Sequence, residues 1–249
     1  MDSLKCLNNE CINLLHNNKL LQPLIKSELK SSLLSEVQIE KEFEISAINE
    51  FKSKFKITNE TELEDFLVQN DLDHKQFNDL ALFPLRTKKY STDTFVNKSE
   101  ARFLERKDNY DMVIYSMIRV GNLHLCRELF FKVSEKEADF GEIASRYSEG
   151  FEKTTRGIIG PHAIAQAHPS LRQRLRKSKI GEVSKPFQVN NNFLITRVES
   201  FETAKLDNSM KEKMCEELFD EWLNSESIKI LKGLISQIKP SSQSKGELS

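Results

Sequence analysis

The side chains able to attack, ligate or shuttle protons are few in this chain, and they are scattered. Cys6, Cys11, Cys126 and Cys215 form no C-x-x-C pair, and no histidine follows them at zinc-finger spacing. They read as reduced thiols, mostly buried as small hydrophobes, in a reducing compartment. His16, His74, His124, His162 and His168 are dispersed as well, so neither a metal nor a cofactor is expected. One dense cluster of charge stands out: Arg172, Arg174, Arg176, Lys177 and Lys179 place five cations in eight residues with no acid among them. Such a run is a solvated helix face, or an electrostatic rim selecting acidic peptide segments, since arginine grips carboxylates bidentately. A nucleic-acid surface is the third reading. It lacks the interleaved aromatics of a stacking platform, so no nucleic-acid partner is expected.

The elements that must position these residues follow from the distribution of glycine. All eight glycines lie at Gly121 or beyond. Helices disfavour glycine, while tight turns and bulges need it. The first half is therefore expected to be helical, and a turn-rich α+β unit should begin near residue 110. Leu14, Leu21, Leu24, Ile25, Leu29, Leu33 and Leu34 recur at helical spacing. A second stripe, Phe43, Ile45, Ile48, Phe51 and Phe55, gives further candidate core residues. Asn59 with Glu62, Asp73 with Gln76 and Asp139 with Glu142 are capping boxes. The first two open helices carrying Leu63, Phe66 and Leu67, then Phe77, Leu80 and Leu82.

From Met112 to Val120 the run MVIYSMIRV reads as a strand ending at a turn, followed by a helix over 123–133. A short helix follows Asp139, and residues 149–161 read as a loop. Then come a helix from Pro169 to Arg176, a strand at Phe187, a turn at Asn190 and a strand from Phe193 to Val198. A last helix is expected from Asn208 to Leu223 with Met214, Leu218 and Trp222 on one face, which must bury itself on the N-terminal helices. The division expected is 1–109 helical, 110–202 α+β, 203–239 a helix returning to the helical module, and 240–249 a flexible tail.

Charge sets outer limits. Lys and Arg number 37 against 38 Asp and Glu, so no global field advertises nucleic acid or anionic lipid. No stretch approaches the roughly 18 apolar residues of a membrane span, so membrane insertion is not expected. The first thirty residues lack a continuous apolar core of a secretory signal, which leads to the expectation of a cytoplasmic protein.

Between residues 139 and 198 the sequence spells DFGEIASRYSE, RGIIG, HPSLRQRLRKSKIGEVSKPF and NNFLITRV. This succession resembles the parvulin-type (rotamase, PpiC-like) peptidyl-prolyl isomerase domain, over Met112 to Phe201. Helices before and after such a domain further resemble the layout of SurA-like chaperones. The resemblance implies an α+β fold, a β-α-α-α-β-β isomerase domain beside an all-α module. It implies as partners unfolded or precursor polypeptides and their proline-containing segments. The oligomeric state is left open among monomer, dimer and a domain-swapped form, and a periplasmic location is the alternative that the family suggests.

The resemblance also carries a site. Its apolar wall maps to Ile159, Ala167 and Leu171, and the groove is completed by Phe193, Leu194 and His162. Phe193 has a second reading, facing the opposite side of the sheet, because strand side chains alternate. The family's polar centre, a histidine in the first strand, another in the last and an acid or cysteine after Tyr-Ser-x, falls on Ser116, Leu194 and Gly150. Ser116 is thus the one catalytic candidate, and isomerase activity is expected to be weak or lost, leaving a peptide-binding or precursor-docking module. His162 and His168 are the alternatives for a substitute imidazole. Arg172 and Arg176 would supply the charged rim.

Overall fold

The computed structural model describes Leu4 and residues 6–238. The expected tail at 240–249 lies outside the described residues. Two compact units divide the chain: one runs through Arg102 and resumes at Asp207, and the other spans Phe103–Leu206.

The first unit is all helix: α1 (Asn9–Asn17), α2 (Leu21–Ser35), α3 (Lys41–Lys54), α4 (Glu60–Gln69), most of α5 (His74–Arg106) and α9 (Asn208–Ile238). Cap chemistry sets several starts. Asp73 and Gln76 exchange backbone bonds in a full capping box. Asn59 caps α4 through Glu62 N–H, but the Glu62 carboxylate reaches back to Thr58 instead. The C-terminal helix buries Met214, Cys215, Phe219 and Leu223, the last three packed against Leu29, Leu34 and Phe95. Leu218 and Trp222 are only partly buried there. The helix runs on to Ile238 because Ile230, Leu231 and Leu234 continue the apolar stripe onto Ile12, Leu21 and Ile25. The second stripe is weaker than its spacing implies. No residue of α3 is buried, and Phe43, Ile45 and Phe55 are exposed, as are Leu14, Leu24 and Leu80.

The second unit holds a four-stranded antiparallel sheet in the order β2-β1-β4-β3. The strands are β1 (Met112–Val120), β2 (Ile158–Ala163), β3 (Phe187–Val189) and β4 (Asn192–Glu202). Helices α6 (Leu123–Ser134) and α7 (Phe140–Tyr147) fall between β1 and β2, and α8 (Pro169–Lys177) between β2 and β3. The fold class is α+β. The expected order lacked β2, whose residues read as loop because Gly157, Gly160 and Pro161 punctuate them. An edge strand tolerates proline, since its outward N–H has no ladder partner to lose. Gly160, at φ +113, passes so close to Val113 O that no side chain fits, and this marks the bulge where β2 pairs with β1.

Alternation gives the sheet two faces. Ile118, Val120 and Ile195 meet Cys126 and Leu129 of α6 and Phe140 and Ala144 of α7. Tyr115, Met117, Leu194 and Val198 face Leu171 and Leu175 of α8. The α7 cap explains its placement: Asp139 accepts from Glu142 N–H and pairs with Arg156 at 2.8 Å. The helix N–H bond holds the Asp139 carboxyl below the usual carboxylate range, and Arg156 adds to it.

Candidate active site

A cavity of about 490 Å³ opens on the α8 face of the sheet. Its floor is Tyr115, Met117 and Arg119, successive residues on one face of β1, beside Leu194 of β4. Ile159 and His162 of β2 form one wall. Ala167, His168 and Leu171, at the start of α8, form the other. Leu171 and Ala167 are pinned by the buried core behind them, which makes the wall a fixed surface.

Five of the expected groove residues therefore converge: Ile159, Ala167, Leu171, Leu194 and His162. Phe193 does not join them. It is one residue out of phase with Leu194 and packs with the α6 and α7 side chains. Ser116 is out of phase for the same reason. It is buried away from the cavity, and its hydroxyl donates to Glu199 Oε1 at 2.5 Å. Glu199 in turn pairs with Arg197 at 2.8 Å, whose guanidinium lies 4.9 Å from the Phe140 ring. The hydroxyl is thus engaged on the other face of the sheet, and Tyr115 and Met117 are the β1 residues that look into the groove.

The charged rim also differs from expectation. Arg172 donates to the backbone carbonyl of Ala165 at 2.8 Å, fixing the turn that precedes α8. Arg176 reaches the Asp108 carbonyl and pairs with Asp111 at 2.9 Å. Asp111 also accepts from Ala204 N–H, so this carboxylate ties the two ends of the unit together. Arg174 stacks over the Phe187 ring at 4.7 Å. These cations hold structure, and none of the three lines the groove.

The groove has polar groups of its own. His162 Nδ1 lies 3.1 Å from Ala163 O. A carbonyl only accepts, so Nδ1 carries the hydrogen and Nε2 is left as an acceptor in the neutral ring. His168 has the opposite tautomer, because its Nδ1 accepts from Ser170 N–H at 3.3 Å. Tyr115 meets the His162 ring edge-on at 5.7 Å. Burial pushes the Tyr115 hydroxyl up to about 12, against the pull of Arg119 and with a smaller push from Glu152, so it stays a donor at neutral pH. Glu152 is completely buried behind Arg119 and pairs with it at 3.2 Å. The spacing of residue types did not disclose this pair. A lone arginine inside the apolar run of β1 was the available signal for Arg119, whereas Glu152 had none.

With this geometry in view, the comparison with family models falls on the same unit. Residues 124–200 match the Rotamase family model, described as the PPIC-type PPIASE domain. Those residues are thus similar to a PPIC-type domain. No curated protein matches the sequence. Among solved structures, the peptidylprolyl isomerase PrsA of Bacillus anthracis is 20% identical, with 88% of this chain and 100% of that chain covered, at a TM-score of 0.48. The foldase protein PrsA of Streptococcus pneumoniae is 15% identical, covering 93% of this chain and 90% of that one, at 0.42. A SurA-like chaperone of Campylobacter jejuni is 16% identical, covering 88% and 94%, at 0.37. The groove lies within the residues that match the PPIC-type model, apart from its β1 floor, which precedes them.

The remaining candidates for chemistry lie elsewhere in the α+β unit or in the helical unit. Cys126 is buried, and burial pushes its thiol up to about 11, which makes it inert as a nucleophile. Cys215 is buried too, while Cys6 and Cys11 are exposed, so only half of the thiols serve as core. Glu60, Glu64 and His74 bring ligand atoms within 4.8 Å of one another on exposed surface. The His74–Glu64 pair at 3.0 Å accounts for that grouping. Among the described residues no helix is long and apolar enough to cross a membrane.

Proposed function

We propose that this chain is a parvulin-like peptidyl-prolyl isomerase and chaperone that holds extended, proline-containing or apolar polypeptide segments, with slow turnover. The observation that carries the reading is the cavity on the α8 face, walled by Ile159, Ala167, Leu171 and Leu194 within the matched domain. Rotation about a peptide C–N bond faces a barrier of about 18–20 kcal/mol. A catalyst lowers it by desolvating the amide and stabilising its twisted form electrostatically, without a nucleophile. The apolar wall supplies the first requirement. The second is poorly met, since Leu194 and Met117 put apolar groups at the centre of the floor.

Clients of this groove are unfolded or precursor polypeptides. Nucleic acid is not among those we propose, because Arg172 and Arg176, the expected rim, are engaged within the fold. Residues 1–109 and 203–239 would serve as the holding module and 110–202 as the isomerase module. The comparisons give no support to the cytoplasmic placement expected from the sequence. A periplasmic location is compatible with them and is the one we adopt.

A protease-coupled tetrapeptide assay tests the catalytic half. Turnover near the uncatalysed background is expected, and kcat/KM of ~10⁴ M⁻¹s⁻¹ or more would refute slow turnover. A second reading, client docking on the helical unit, is favoured by a cavity of about 820 Å³ lined by Phe43, Phe51, Ala81, Pro84 and Leu85. Client binding that survives Leu171→Ala but not Phe43→Ser would favour it.

A further inference from the structure

Glu152 is a carboxylate with 0% exposure, placed beside the groove without lining it. Its oxygens accept from Ser148 Oγ at 2.5 Å and from Arg119 Nη2 at 3.2 Å. Gly150 makes the room, because any Cβ there would collide with this carboxylate. The Ser148 hydroxyl oxygen also accepts from Arg119 N–H at 3.0 Å. One Ser–Glu pair therefore fixes both the backbone and the side chain of Arg119. A buried carboxylate persists only when paired and hydrogen-bonded, so the partnership is structurally obligatory.

What Arg119 offers the groove follows from that pairing. A guanidinium has five N–H donors, and the bond to Glu152 occupies one of its terminal nitrogens. The side chain is 30% exposed and lines the cavity, where no carboxylate accompanies it. Its charge is offset from behind. A client carboxylate would be drawn to Arg119 but partly repelled by Glu152 held 3.2 Å behind it, and it would lose far more hydration than a neutral carbonyl does.

We propose that Arg119 is the specificity-determining contact of the groove, donating to a main-chain carbonyl of the bound segment. Buried Glu152 acts as its positioning residue and cancels its charge, so that the groove takes uncharged segments in preference to acidic ones. The proposal rests on the groove reading above and names the client class for that same site.

The test uses the full chain and three proline peptides that differ only in the preceding residue, Ala, Gln or Glu, with affinity measured at low and high salt. Wild type should bind the Ala and Gln peptides at least as well as the Glu peptide, with little salt dependence. Replacing both partners, Arg119→Met with Glu152→Met, removes the buried pair without orphaning a charge. That variant should lose affinity for all three peptides by about tenfold or more, the usual weight of a hydrogen bond from a charged donor. Glu152→Gln keeps an acceptor for Arg119 but uncovers its charge. The Glu peptide should then gain about tenfold over the Gln peptide, and the gain should fade as salt screens it. A purely structural Glu152 would not move that ratio. Wild type already preferring the Glu peptide, or a paired variant that binds like wild type while Leu171→Ala does not, overturns the assignment alone. Failure of wild type to bind any of the three overturns the groove reading, and this proposal with it.

Discussion

The two faces of the sheet are built from alternate residues of the same strands, yet they do different work. On the α6–α7 face, Ile118, Val120 and Ile195 are completely covered, and Phe140 fills the space above them. The α8 face is buried too, but Tyr115, Met117, Leu194 and Leu171, which share one core, also line a cavity. Polar side chains sort in the same way. Ser116 faces the covered side and spends its hydroxyl on Glu199, while Arg119 faces the cavity and keeps donors to spare. Residue type alone is therefore a poor guide to a site in a strand. A one-residue change of phase separates a packing group from a candidate contact.

The largest effect should come from the covered face. Phe140 is 2% exposed and lies beneath the Arg197 guanidinium. Phe140→Ala should cost about 3–5 kcal/mol of stability in a urea titration, the usual range for a large aromatic removed from a close-packed core. The affinity of the remaining folded protein for a proline peptide should stay as it was. A parallel loss of affinity would show that the two faces act as one.

Leu171 gives the matching test on the cavity side. Its truncation enlarges a space that is already open to solvent, so neighbouring groups and water can adjust. Leu171→Ala should cost about 2–3 kcal/mol, the lower part of the range for leucine, while peptide affinity falls with it. A cost equal to that of Phe140→Ala with unchanged affinity would erase the distinction between the faces.

Much of this contrast was legible in the sequence, and the missing parts share a cause. The β-branched run at Met112–Val120, the turn at Asn190 and the cap at Asp139 are local signals, and each matched an element. Strand β2 was hidden because Gly157, Gly160 and Pro161 are turn signals in most settings, and only an edge position lets them lie in a sheet. The α3 stripe misled in the other direction, since spacing shows that a face is apolar without showing that anything covers it. At the site, Ile159, Ala167, Leu171, Leu194 and His162 came from the family pattern, whereas Ser116 and Phe193 failed by one residue of strand phase. The Arg119–Glu152 pair joins residues 33 apart through a fold-dependent contact, which no local spacing encodes.

The smallest effect sharpens the comparison most. Helix α6 covers one face only, and its start is held by Asn122, whose Oδ1 accepts from Leu125 N–H at 3.1 Å. The first four N–H groups of a helix have no internal acceptor, so this bond satisfies a donor that water would otherwise have to meet. Asn122→Ala should therefore cost about 1 kcal/mol. The loss should be confined to the first turn of α6, where amide exchange at Leu125 and Cys126 should quicken, while β1 amides keep their protection. Peptide affinity should not change, because no groove residue depends on that turn. If affinity falls along with the cap, the cavity face is sensitive to its opposite, and the groove would have to be treated as a property of the whole sheet.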